Sequence, residues 1–264
     1  MVILITGITS GFGKAMAERL SSEGHKVYGT HRHAEKFIPG VTYIKADSQS
    51  DEECRAAVGQ VLAAEGRIDV FINNAGMGIG GPLEFCSLES ARLQMDINWM
   101  GMVRYLHHVV PAMREQGSGR ITCFSSIGGL MGLPFQGLYS ASKFAIEGYC
   151  EALRLEVRGF GIDVILVEPG DFATSFTAQR NCVSDPKAYE VYRTYAQSLA
   201  SIEHDETSGL KPEYLARRIS RIISCRRPKY AYVISTFEQW LSTFLKRILP
   251  ARWFAAILSS YYKL

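Results

Sequence analysis

The sequence predicts an α/β fold: a single doubly wound domain with a parallel sheet of about seven strands and helices on both faces. Three observations carry this. Short β-branched runs alternate with helical stretches along most of the chain. The helices are long enough to serve as right-handed crossovers, which make neighbouring strands parallel and cover both faces of the sheet. A cluster of glycines closes the first strand, where such a sheet opens its ligand crevice. With 264 residues, 47% of them apolar and 21% charged, the chain can bury the core this sheet needs.

The elements follow in order. VILIT (2–6) is a β-branched run closed by Gly7 and reads as a buried strand. KAMAERLSSEG (14–24) has helical spacing and stops at Gly24, a C-cap residue. KVYGT (26–30) and VTYIKAD (41–47) are the second and third strands, and DEECRAAVGQVLAAEG (51–66) is a helix. IDVFINNAG (68–76) is a fourth strand running into a turn, and a long helix covers 88–116. GRITCFSS (119–126) is the fifth strand, followed by a second long helix over 138–161. IDVILVEPG (162–170) is the sixth strand and YAYVI (230–234) the last. Neither a repeat nor a second domain is visible. Residues 1–236 form the domain, with a loop over the site at 175–210, and 237–264 form an amphipathic helical tail.

Bulk properties exclude several classes. A net charge of +3 implies no nucleic-acid field. Six cysteines form no C-x-x-C pair and read as reduced thiols of a cytoplasmic protein. No basic segment precedes the apolar run at Val2, so no signal peptide is expected. His31, His33, His107 and His108 lack zinc spacing, so no metal is expected. No G-x-S-x-G elbow is present, which argues against a serine hydrolase.

The chemistry starts at TGITSGFG (6–13), where Gly7, Gly11 and Gly13 form a G-x3-G-x-G turn. Glycine lets the backbone turn sharply and lets a pyrophosphate approach the N-terminus of the next helix. The strand before and the helix after supply the context this turn requires, and Thr9, Ser10 and Phe12 share the loop. YSASK (139–143) puts Tyr139 and Lys143 on one helical face. A phenol with a pKa of roughly 10 exchanges protons poorly at neutral pH, and a nearby ammonium would lower that value. Ser126, 13 residues before Tyr139, ends a strand where its hydroxyl would meet a substrate carbonyl. Ser125 is its rival.

These motifs in this order resemble the short-chain dehydrogenase/reductase family over residues 2–175. The resemblance rests on the glycine turn, NNAG (73–76), the asparagine of DIN (96–98), SS (125–126), Y-x3-K and P-G-x3-T (169–174). SIGGLMGLPF (126–135) looks like the 17β-hydroxysteroid dehydrogenase and retinol dehydrogenase branch. The resemblance implies a Rossmann domain with a catalytic tetrad of Asn98, Ser126, Tyr139 and Lys143. Tyr139 would be the acid/base, and Asn98 would hold a water linking Lys143 to solvent. Asp47 would meet the adenine, while Asn74, Ala75 and Gly76 would shape the cofactor floor. Pro169, Gly170 and Thr174 would lie at the nicotinamide, though Thr174 would equally serve as a helix N-cap. Lys143 would lie near the nicotinamide ribose.

After the second strand, GTHRHAEK (29–36) has no acid between 29 and 34 to hold a ribose 2′-hydroxyl. Arg32 would instead grip a 2′-phosphate, so NADP(H) is expected over NAD(H). The expected activity interconverts a ketone and a secondary alcohol on a hydrophobic steroid-, retinoid- or lipid-like molecule. The competing readings are a non-catalytic NADPH-sensing or scaffold protein and a nucleotide-sugar epimerase or dehydratase. The glycine spacing and the short C-terminal part speak against the epimerase. The two long helices are the family's pairing surface, so a homodimer or homotetramer is expected. The second carries apolar residues on more than one face, including Phe144, Ile146, Leu153 and Leu155.

In the tail, Phe237, Trp240, Phe244 and Ile248 recur at steps of three and four residues. Pro250 interrupts the stripe, and Trp253 and Ile257 resume it. Lys246, Arg247, Arg252 and Lys263 are interleaved, so no run reaches the ~18 apolar residues of a spanning helix. Two readings stay open: a tail packed on the core or on a partner subunit, and a pair of interfacial helices lying on a membrane.

Overall fold

The computed structural model describes residues 1–33 and 37–264. Ala34, the last position of the acid-free window, lies outside them. The N-terminal half holds β1 (Val2–Thr6), α1 (Gly11–Ser22), β2 (Lys26–His31), β3 (Val41–Lys45), α2 (Asp51–Glu65), β4 (Val70–Asn73) and the short β5 (Ile79–Gly80). Then come α3 (Leu88–Met95), α4 (Gly101–Gln116), β6 (Gly119–Phe124), α5 (Gly137–Glu156) and β7 (Ile162–Pro169). The remainder is β8 (Asn181–Cys182), α6 (Pro186–Val191), α7 (Tyr195–Ser208), α8 (Pro212–Ser224), β9 (Ala231–Ile234), α9 (Phe237–Ile248) and α10 (Ala251–Tyr262).

Seven strands form one sheet in the order β3-β2-β1-β4-β6-β7-β9, with every pair parallel. The chain winds outward from β1 in one direction and from β4 in the other. The switch point between β1 and β4 opens a crevice beyond the strands' carboxyl ends. Alternation along β1 sends Val2 and Leu4 to one core and Ile3 and Ile5 to the other. The first core includes Phe71, Tyr105, Ile121 and Leu166, and the second packs Met16 and Leu20 of α1 against Leu215 and Ile219 of α8. Local caps fix the ends. Ser50 accepts from the Glu53 N–H at the start of α2, and Gly66, at φ 71°, closes it in the left-handed conformation.

The structure departs from the sequence expectations in three places. The helix over 88–116 is broken by a π turn at Asp96–Met100, which separates α3 from α4. The loop over 175–210 contains β8, α6 and α7. Helix α8 fills a stretch to which those expectations assign no element. The apolar residues of α5 do lie on more than one face: Ile146 and Leu153 are core, while Phe144 and Leu155 are exposed. Among the described residues, no helix is long and apolar enough to cross a membrane. The strands β4, β6 and β7 end at Asn73, Phe124 and Pro169, so Asn74–Gly76, Ser125–Ser126 and Gly170 fall in the crevice itself.

Candidate active site

The crevice is a cleft of about 1040 Å³ that runs from the glycine turn past Tyr139 to the two tail helices. At its base, the Thr6 hydroxyl accepts from the Asn74 and Ala75 N–H groups at 3.0 and 2.9 Å. The Asn74 amide donates to the carbonyls of Thr6 and Gly7, each at 3.0 Å. These bonds lock β4 to the glycine turn. Gly7 and Gly11 have φ of 72° and 52°, open only to glycine without strain. A Cβ on Gly13 would lie 2.0 Å from the Gly7 carbonyl oxygen, so the turn closes onto α1 only with glycine there.

The first turn of α1 carries no acidic residue, and Ser10 at its N-cap makes no side-chain cap. Its leading N–H groups therefore face the cleft beside Thr9 and Phe12 with no carboxylate to repel a phosphate. Across the cleft, Thr174 approaches Gly11 closely enough that a Cβ there would touch it at 3.6 Å. The Thr174 hydroxyl accepts from the Phe176 N–H at 3.2 Å, closing a local turn rather than capping a helix, because the next helix starts only at Pro186. Arg32, exposed at the end of β2, lines the cleft with Asp47. Asp47 also accepts from the Gln49 N–H at 3.0 Å. The floor, the turn and the helix end together fit a dinucleotide.

The four expected catalytic residues come from three elements around one end of the cleft. Ser126 caps the turn after β6, accepting from the Gly128 N–H at 3.1 Å, and lies in hydrogen-bond reach of the Tyr139 hydroxyl. Ser125 has no such relation to the phenol. Lys143, one turn along α5, donates to the Phe124 carbonyl at 2.8 Å, and its ammonium lies 5.6 Å from the centre of the Tyr139 ring. Asn98 sits buried within the π turn, and such turns are frequent at functional sites. Its side chain accepts from the Met77 N–H at 2.8 Å and donates to the Met77 carbonyl and the Ser142 hydroxyl, both at 3.0 Å. Both N–H donors of that amide are spent on joining α5 to the β4–β5 turn, so a water held at this residue would have to donate to its side-chain or main-chain oxygen.

One electrostatic expectation is corrected. Lys143 was to lower the Tyr139 pKa, but burial instead pushes the phenol up to about 12, with the Ser126 hydrogen bond opposing and Glu206 adding to the rise. Burial drives Lys143 the other way, down to about 8, against the pull of Glu147. Desolvation of both groups outweighs a cation held 5.6 Å from the ring centre.

Beyond Tyr139 lies a polar cluster that the sequence did not flag. The Tyr139 ring packs on Phe176 at 5.6 Å, and Phe176 packs under the Arg180 guanidinium at 5.8 Å. Arg180 forms a buried ion pair with Glu206 of α7, which also accepts from the Thr177 hydroxyl at 2.6 Å. Asp171, two residues past Pro169, accepts from Gln239 of α9. Burial first, then Glu206 and Asp205, raise Asp171 to about 7. Asp205 accepts from the Tyr261 hydroxyl of α10, and Ser198 of α7 donates to the Tyr262 carbonyl at 2.6 Å. The tail therefore packs over the outer half of the cleft, which Leu245, Phe254 and Leu258 line. Among the expected site residues, only Pro169 and Gly170 hint at this cluster, through their neighbour Asp171.

A serine, a tyrosine and a lysine gathered beside a phosphate-accepting turn define an oxidoreductase that works on the alcohol–carbonyl pair. The comparisons agree. The family model for short chain dehydrogenase matches residues 1–183, and the chain belongs to that family. A 3-ketodihydrosphingosine reductase of Bacteroides thetaiotaomicron is 44% identical over 262 residues, covering 99% of this chain and 97% of the relative. The 17-beta-hydroxysteroid dehydrogenase type 1 of Homo sapiens is 40% identical over 268 residues, covering 94% and 80%. A solved short-chain dehydrogenase from Streptomyces avermitilis superposes with a TM-score of 0.79 at 27% identity, over 100% of this chain and 98% of that one.

Proposed function

We propose that this chain reduces a long-chain 2-amino ketone of the 3-ketodihydrosphingosine type with NADPH. The observation that carries the reading is the mixed lining beyond Tyr139. Leu245, Phe254 and Leu258 suit an alkyl chain. Asp171, Asp205 and Glu206 line the same cleft, with Arg180 paired to one of them. A 3-ketodihydrosphingosine has a hydrocarbon chain on one side of its carbonyl and an ammonium on the carbon at the other. A 17-ketosteroid offers no cation to those carboxylates. The relative that spans nearly the whole chain at 44% identity bears the matching name.

The chain's own residues divide the work. Ser126 holds the carbonyl oxygen and Tyr139 delivers a proton to it. Lys143, anchored on the Phe124 carbonyl, supports the tyrosine and is close enough to the floor to meet a ribose. The dinucleotide supplies the hydride. With Tyr139 raised to about 12, its proton is in place throughout the neutral range, which suits reduction.

Arg32 is the residue assigned to the 2′-phosphate. Arg32→Ala is expected to raise KM for NADPH about tenfold and to leave KM for NADH within about twofold, because exposure weakens a charged contact that would cost more if desolvated. Equal shifts with both cofactors would remove Arg32 from that role.

The substrate is tested with a panel: 3-ketodihydrosphingosine, the same ketone lacking its amine, and a 17-ketosteroid. The amino ketone is expected to show the highest kcat/KM. Asp171→Asn should lower that value about tenfold and spare the amine-free ketone, since a hydrogen bond to a charged group is worth about 1.5–3 kcal/mol. Asp171 is chosen over Glu206 because removing Glu206 would strand the buried Arg180 charge. Preference for the steroid would overturn the reading, and turnover of any ketone excludes the scaffold alternative.

A further inference from the structure

We propose that α9 and α10 form a platform that seats on an anionic bilayer and joins the cleft to the lipid phase. The inner side of the pair closes the cleft, where Phe254 and Tyr262 are buried. The outer side is apolar and open to solvent. Phe237, Trp240, Phe244, Ile248 and Trp253 are 46–72% exposed. The first three stack along α9, with ring centres 5.8 and 6.1 Å apart. Exposed apolar surface this continuous marks an interaction site rather than ordinary surface.

Leu241, Ile257 and Tyr261 belong to both sides. Each lines the cleft, and each is 36–55% exposed. The apolar surface therefore runs without a break from the substrate cavity to the outer patch, so an alkyl chain could pass between them without crossing water.

Charge selects the occupant. Over residues 237–264 there are four basic side chains, Lys246, Arg247, Arg252 and Lys263, and one acidic, Glu238. Three of the four flank the corner at Pro250, and all four are exposed. Interleaved cations beside aromatic residues match the interface of an anionic leaflet. A second copy fits less well, because a two-fold contact would press the basic corner of one protomer toward the same corner of the other. Each helix has 12 residues, too short to span, so the pair would lie in the plane of the surface.

The proposal rests on the amino-ketone reading only for the identity of the lipid that would enter. Binding is therefore scored without substrate or cofactor. Full-length protein is mixed with vesicles of phosphatidylglycerol and phosphatidylcholine, or of phosphatidylcholine alone, and floated. Flotation with the anionic vesicles is expected, together with a blue shift of Trp240 and Trp253 emission. Trp240→Ser/Phe244→Ser/Trp253→Ser should cut partitioning about tenfold or more while leaving turnover of a short water-soluble ketone unchanged, since none of the three lines the cleft. Lys246→Gln/Arg247→Gln/Arg252→Gln should abolish the preference for anionic vesicles. Failure of the parent to float would overturn the proposal, as would flotation that the aromatic triple variant does not weaken. Sedimentation showing self-association that the same variant dissolves, without flotation, would assign the patch to a second copy instead.

Discussion

Tyr139→Phe is expected to lower kcat for ketone reduction by about 10²–10⁴-fold and to leave NADPH affinity within about twofold. The substitution removes only the hydroxyl. The remaining ring keeps its packing on Phe176 and its place beside Gly128, where an added Cβ would lie only 3.3 Å from the ring edge. Ser126 keeps its bond from the Gly128 N–H, so the carbonyl-binding turn is undisturbed. The loss is therefore confined to the proton. No neighbour replaces it well: Lys143 is held on the Phe124 carbonyl, and Ser126 is a far weaker acid than a phenol. Single-turnover oxidation of NADPH measures the step, and a fluorescence titration measures the affinity. Retention of more than about a tenth of kcat would show that the phenol is not the proton donor.

What was legible in the sequence is what is local. The glycine turn, Y-x3-K and the strand-end serine are each short stretches whose meaning depends on a strand before and a helix after. The alternation of β-branched runs and amphipathic helices supplied that frame. Helix α8 carries a local signal of the same kind, Leu215, Ile219 and Ile222 at helical spacing behind Pro212, although the sequence expectations assign it no element. What was not legible joins distant segments. Arg180 meets Glu206 from 26 residues away, and Gln239 meets Asp171 from 68. Neither pair has a local pattern, because both depend on how α7 and α9 fold back over the strand ends. The sign of the Tyr139 shift was hidden for a related reason. Spacing along α5 places a lysine one turn from the phenol, but how deeply both are buried is decided by the segments that pack against them. The π turn around Asn98 has no sequence signature, and it sets the Asn98 side chain as a brace between α5 and the β4–β5 turn.

The second large effect is expected at Gly13. Gly13→Ala adds one methyl group, which would lie 2.0 Å from the Gly7 carbonyl oxygen and 2.6 Å from the Asn74 amide nitrogen. Neither atom is free to withdraw. The Gly7 carbonyl accepts from that same amide at 3.0 Å, and the Gly7 N–H donates to the Thr30 carbonyl at 3.1 Å. The turn must therefore open away from α1, carrying off the N–H groups that would meet the pyrophosphate. NADPH affinity should fall by about 100-fold or more, the scale of losing two or three hydrogen bonds to a charged group. Overpacking should also cost about 1–3 kcal/mol of stability. Gly59 is the control, because it lies exposed within α2 and a Cβ there meets nothing within 4 Å. Gly59→Ala should stabilise the protein by about 0.4–1 kcal/mol and leave NADPH affinity unchanged. The same chemical change is thus expected to act with opposite signs, because helix propensity governs one site and the close approach of two backbone segments governs the other. A fluorescence titration and a thermal melt on both variants check this. NADPH affinity of Gly13→Ala within about threefold of the parent would mean that the glycine turn does not form the phosphate site, since every contact assigned to it depends on that approach.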